Sequence, residues 1–144
     1  MYKKILVPLD GSTLAEAVLP HAEAIAKAEG AEIVILRVPA IPAAELFARD
    51  PAIANSLRED IETETKDYIN KTVEILKKEN FHVTGVVQEG PVPETILAVA
   101  EETHADMIAM STHGRTGVKR WLMGSVADRV VHYAHIPVML IHPN

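Results

Sequence analysis

The strongest constraint in this chain is a rhythm. Short, nearly unbroken apolar runs alternate with longer stretches in which apolar residues return every three or four positions. The run from Lys3 to Leu9 contains Ile5-Leu6-Val7, and the run from Glu32 to Val38 is rich in Ile and Val. A strand with water on one face alternates in polarity, so unbroken runs predict strands buried on both faces, as in a parallel sheet. Between these two runs, Ala15, Val18, Leu19, Ala22, Ile25 and Ala26 keep helical spacing up to Gly30. Thr13 and Glu16 have capping-box spacing, and Pro20 predicts a bend. A β-α-β opening follows, with a right-handed crossover.

The rest of the chain repeats the pattern. Pro39, Pro42 and Pro51 interrupt a region of small residues, which predicts a long surface loop from Pro39 to Pro51. Asp50-Pro51 suits an N-cap and first helical residue, opening a helix to Lys78 with Ile61, Tyr68, Ile69, Val73 and Leu76 inward. The run Arg58, Glu59, Asp60, Glu62, Glu64, Lys66 and Asp67 reads as its solvated face. Further strands are predicted at Val83 to Gln88, Asp106 to Ser111 and Pro137 to His142, with helices at Pro93 to His104 and Ser125 to Tyr133. This alternation is that of a doubly wound α/β fold, and the length of 144 residues suits one domain over 1–144.

Composition removes several function classes. The net charge of −6 disfavours a general nucleic-acid binder, and the chain has no cysteine for a disulfide, thiolate metal site or thiol nucleophile. No segment approaches the roughly 18 apolar residues of a membrane span, and the apolar run after Lys4 is too short for a secretion signal. A soluble, cytoplasmic protein is expected. Walker A, an early G-x-G-x-x-G, H-E-x-x-H and G-x-S-x-G are all absent. Glu101, Glu102, His104 and Asp106 lack any recognised metal-ligand spacing.

The chemically informative stretch is MSTHGRTGVKRWLMGSVADRV, residues 110–130, between a predicted buried strand and the last helix. Gly114, Gly117 and Gly124 permit positive φ and close backbone approach, and a helix starting at Ser125 would offer unpaired amides to an anion at Ser125 and Val126. Arg115, Lys119, Arg120 and Arg129, opposed by Asp128, make this stretch +3 in an acidic chain. An ordinary glycine-bearing connection with a serine cap reads equally well from spacing alone.

The pattern resembles the universal stress protein family along nearly the whole chain. YKKILVPLDGST is similar to that family's first strand and nucleotide-contacting turn, and PVMLIHP to its closing strand. In nucleotide-binding members the loop reads Gly, two residues, Gly, nine residues, Gly, then Ser or Thr. Gly114, the nine residues Arg115 to Met123, and Gly124-Ser125 match, while Ser111 stands at the first glycine position. The resemblance implies a Rossmann-like five-stranded parallel sheet in order 3-2-1-4-5. It also implies phosphates at Gly114, Gly124, Ser125 and Val126, Asp10 at the ribose or a metal, Pro8 and Leu9 beside sugar and base, Val38 at the adenine, and Met110 at another lining position. Ser111 would face the same cleft, its small side chain tolerating or hydrogen-bonding phosphate.

Asp10 also suits a turn or helix cap, and both roles can coexist. His113 could contact phosphate or simply be solvated, with no partner in the sequence that makes it a catalytic base. Arg115 and its basic neighbours could steer an anion, and Trp121 reads as an anchor against the domain. The expected function is that of an ATP-binding stress or regulatory protein with little or no turnover and no catalytic residue assigned. It would act as a homodimer through the edge strand Val138, Met139, Leu140 and Ile141. A slow ATPase and a nucleotide-free dimerising module of the same fold are the alternatives. The choice among ATP, ADP and AMP, the need for Mg²⁺ and any protein partner stay open.

Overall fold

The computed structural model describes residues 1–113 and 123–143. Among these residues five strands, β1 (Lys4–Pro8), β2 (Glu32–Arg37), β3 (Val83–Val87), β4 (Met107–Ser111) and β5 (Val138–Ile141), alternate with six helices. The helices are α1 (Thr13–Glu16), α2 (Leu19–Glu29), α3 (Ala44–Arg49), α4 (Pro51–Lys78), α5 (Val92–Glu102) and α6 (Ser125–Tyr133). The strands form one parallel sheet in the order β3-β2-β1-β4-β5, with Ile5 paired to Ile33 on one side and to Met107 on the other. The expected fold class holds: an open α/β sheet with helices on both faces.

Successive side chains on a strand point to opposite faces, and here that period divides the core in two. Ile5, Val7, Ile33, Ile35, Met107 and Ala109 pack with Ala15 and Val18, Ala22 and Ala26 of α2, and Ile69 and Leu76 of α4. Leu6, Val34, Leu36, Ile108 and Met110 pack with Ile96 and Val99 of α5 and with Ala127 and Val130 of α6. The chain therefore changes faces between β1 and β4, and the carboxyl ends of those neighbouring strands open into the crevice where such sheets bind ligands. On the α4 side, Gly85 of β3 allows a close approach, since a Cβ there would lie 2.4 Å from Ile69 Cγ2.

Three local expectations need correction. The first predicted helix is broken into α1 and α2 rather than bent, because Pro20 has no amide to continue the ladder. Its cap is Ser12, whose Oγ accepts the Ala15 amide at 3.1 Å, rather than Thr13. The segment from Pro39 to Pro51 is not all loop, since residues 44–49 form α3. Asp50 caps α4 as expected, accepting the Ile53 amide at 3.2 Å.

Nor is the charged face of α4 wholly solvated. Glu64 receives two hydrogen-bonding nitrogens of Arg37, each at 2.9 Å, and Arg37 is only 6% exposed at the end of β2. The guanidinium also sits 4.8 Å from the centre of the Tyr68 ring, whose hydroxyl donates to Glu16. Burial, then the bond to Glu16 and its charge, push the Tyr68 phenol well above its ordinary range. The network ties β2, α4 and α1 together.

Candidate functional site

At the carboxyl ends of β1 and β4 lies a cavity of about 370 Å³, within the usual range for a small-molecule site. Its walls bring together Pro8, Leu9, Asp10, Val38, Met110, Ser111, His113, Gly124, Ser125 and Val126. Gly114, Arg115 and Gly117 lie outside the described residues, as do Lys119, Arg120 and Trp121. Sequence reading had not singled out Arg37, Ala40, Val92, Ile96 or Thr112, which also line the cavity. A charged residue interrupting the apolar run IVILRV was the available signal for Arg37.

The cavity's anion chemistry comes from α6. Gly124 is its N-cap with no side-chain cap bond, and the first helical bond runs from the Asp128 amide to Gly124 O at 2.9 Å. The amides of Ser125, Val126 and Ala127 therefore have no acceptor inside the helix, and all three residues line the cavity. Aligned peptide dipoles add partial positive charge at this end. Backbone amides at a helix N-terminus suit phosphate or carboxylate oxygens.

Gly124 holds this end in place for a reason other than positive φ. Its φ is −61° with ψ 153°, an extended conformation open to any residue. What demands glycine is space: a Cβ would stand 2.8 Å from the Thr112 carbonyl oxygen, which itself accepts the Gly124 amide at 2.8 Å. The expectation of positive φ at Gly124 is replaced by close backbone approach.

Ser111 lines the cavity, but its hydroxyl is engaged elsewhere. Its one proton is shared between the carbonyls of Leu14 at 2.8 Å and Ala15 at 3.1 Å. The Leu14 and Ala15 carbonyls also receive long bonds, from Ala17 at 3.4 Å and Val18 at 3.5 Å respectively, where α1 breaks from α2. The serine thus closes the helix break, and its proton is committed to α1 rather than to a ligand. Asp10 combines its two expected places: Oδ1 accepts the Ser12 amide at 2.9 Å and the Ser12 hydroxyl at 2.6 Å, and the residue lines the cavity. Asp106 accepts the amides of Lys3 and Lys4 at 2.8 and 2.9 Å, which gives it a role at the start of β1.

His113 is buried, with 8% exposure, and its Nδ1 lies 3.0 Å from Thr112 Oγ1. Its Nε2 has no hydrogen-bond partner among the described residues. A buried polar atom left in that state costs about 1–3 kcal/mol, so a ligand that supplied a partner would be favoured.

A larger groove of about 800 Å³ runs between α2 and α4, lined by Glu16, Glu23, Asp60, Glu64, Asp67 and Glu79 alongside Lys71. Partial burial, then the hydrogen bond to Glu79 and its charge, raise the Glu23 carboxyl to about 7. That crowding of carboxyl groups makes the groove hostile to anions, so the smaller cavity is the candidate site.

The family model of the universal stress proteins matches residues 1–142. Universal stress protein MJ0577 of Methanocaldococcus jannaschii is 33% identical, over 98% of this chain and 95% of that protein. The solved structure of MJ0577 superposes with a TM-score of 0.88 at 30% identity, covering 100% of this chain and 98% of the other. A universal stress protein from Archaeoglobus fulgidus in complex with dAMP shares the fold, with a TM-score of 0.71 at 23% identity, covering 97% of this chain and 98% of the other. With its strand order, its crevice and its match over residues 1–142, this chain belongs to the universal stress protein family.

Proposed function

We propose that this protein binds an adenine nucleotide in the cavity at the ends of β1 and β4 and acts as a regulatory stress protein through that binding. The observation that carries the reading is the start of α6, where the Gly124 N-cap makes no side-chain cap bond and the amides of Ser125, Val126 and Ala127 belong to residues of the cavity wall. Phosphates would sit there and against Gly124, with Gly114, Gly117 and Arg115 completing the loop. Apolar Leu9, Val38 and Met110 suit the base, and Pro8 and Asp10 suit the sugar or a phosphate-bound Mg²⁺. The Archaeoglobus protein holds dAMP on the same fold, so an adenine nucleotide is compatible with this architecture. Calorimetric titration with ATP, repeated with Mg²⁺, should give saturable heat. Folded protein that gives none at millimolar ATP overturns the reading.

The proposed assembly is a homodimer through β5, in a cytoplasmic setting. All four residues of β5, Val138, Met139, Leu140 and Ile141, are partly exposed at the sheet edge, where unpaired backbone groups invite a second strand. Light scattering at micromolar concentration should report a dimer, and Leu140→Lys should shift it toward monomer. A wild-type monomer would contradict the proposed assembly. Among the described residues no helix is long and apolar enough to cross a membrane.

A further inference from the structure

Thr112 stands where three parts of the fold meet. Its amide donates to Ile141 O at 2.9 Å and its carbonyl accepts the Gly124 amide at 2.8 Å, so its backbone is held between the end of β5 and the start of α6. Its side chain, buried with 3% exposure, lies between two imidazoles: Oγ1 is 3.0 Å from His113 Nδ1 and 3.4 Å from His142 Nδ1. His113 lines the cavity, while His142 follows β5 on the exposed side.

A hydroxyl has one proton to give, so Thr112 can donate to one ring only. If it donates to His142, His113 must carry its proton on Nδ1, and its buried Nε2 is a bare acceptor. If it donates to His113, then His142 Nδ1–H donates to Thr112, and His113 Nε2 carries a hydrogen. The neighbouring wall of the cavity consists of helix amides, and an anion brings only acceptors. His113 can join those amides only as an Nε2–H donor.

We propose that Thr112 and His142 are positioning residues, which hold His113 in the Nε2–H form so that it donates to a phosphate oxygen. This rests on the nucleotide reading above. The chain of contacts runs from the cavity to the end of the edge strand, so the group that completes the phosphate site is set from β5.

The tautomer is visible without ligand, which separates the two readings. Long-range ¹H–¹⁵N correlation spectra of the full-length labelled protein should show His113, assigned with His113→Gln, as the Nε2–H form. Thr112→Val keeps the backbone contacts but removes the hydroxyl, so His113 should become a tautomer mixture. ATP affinity should then fall about tenfold, as for loss of a hydrogen bond to a charged group. Thr112→Ser should restore both signals, and His142→Phe should move them in the same direction by a smaller amount. If Thr112→Val does not fold, Thr112→Ser and His142→Phe still decide the matter by spectrum. An Nδ1–H His113 in the wild type, or folded Thr112→Val binding ATP as tightly as wild type, overturns the proposal. Wild-type protein that shows the Nε2–H form but binds no ATP removes the phosphate role and the nucleotide reading with it, leaving the tautomer relay standing.

Discussion

Two hollows lie on either side of α1, and the larger, walled by carboxyl groups, suits an anion less well than the smaller. The groove between α2 and α4 has about 800 Å³ and a wall of carboxyl groups, whereas the cavity at the ends of β1 and β4 has about 370 Å³ and the first amides of α6. Charge and the direction of helix amides, more than size, decide which hollow suits an anion. The two hollows share a partition. Arg37 lines the cavity while its partner Glu64 lines the groove, and α1 gives Ala15 to one and Glu16 to the other.

The sharpest way to break the contrast is Gly124→Val. A side chain there meets the Thr112 carbonyl at its first carbon, so the start of α6 must shift. ATP affinity should drop by about a hundredfold or more, since the anion-binding amides move as a unit. Calorimetry with circular dichroism as a folding control checks it, and tight binding by the folded variant would remove α6 from phosphate recognition.

Arg37→Met attacks the partition itself. The buried guanidinium loses both its bonds to Glu64 and its stacking on Tyr68, but the Glu64 left behind is 58% exposed and can be hydrated. The loss should be about 1–2 kcal/mol, below that of breaking a fully buried pair, and urea unfolding would measure it. An unchanged midpoint would mean that the network adds nothing to the fold.

Ser111→Gly follows in size. Restoring the family's glycine removes the hydroxyl that closes the break between α1 and α2, and stability should fall by about 1 kcal/mol. ATP affinity should not rise. A gain in affinity on titration would show instead that the serine obstructs the ligand.

The smallest effect belongs to the groove. The Glu23 carboxyl is raised from 4.5 to about 7 in the folded protein, so the native state holds its proton more tightly than the unfolded chain does. This contribution is fully present below about pH 4.5 and is lost as pH rises through about 7. Glu23→Gln should flatten the fall in melting temperature between pH 5 and 8 by about 2 °C. Identical slopes in the two proteins would argue against the shared proton.

The sheet was legible because its information is local. Ile5-Leu6-Val7 announces a two-sided strand by itself, and Gly124-Ser125 marks the start of α6 at the residue where the helix begins. The cavity wall was readable through the family resemblance, which places Asp10, Val38 and Ser125 in one crevice far apart in sequence. What sequence did not reveal depends on single long-range contacts. Ser111 reaches carbonyls 97 and 96 residues away, and Arg37 a carboxylate 27 residues away, with no periodicity to betray either. The short helix α3 was hidden by its prolines, which flank it rather than interrupt it.

The bond between Gly124 N–H and Thr112 O has one more consequence. It brings the two ends of the segment 113–123 to a single point on the scaffold. Closing a longer segment on fixed ends costs only slowly increasing entropy. The frame, β4 and α6 joined through Thr112 and Gly124, thus sets where the connection starts and ends, at a closure cost that depends only weakly on its length.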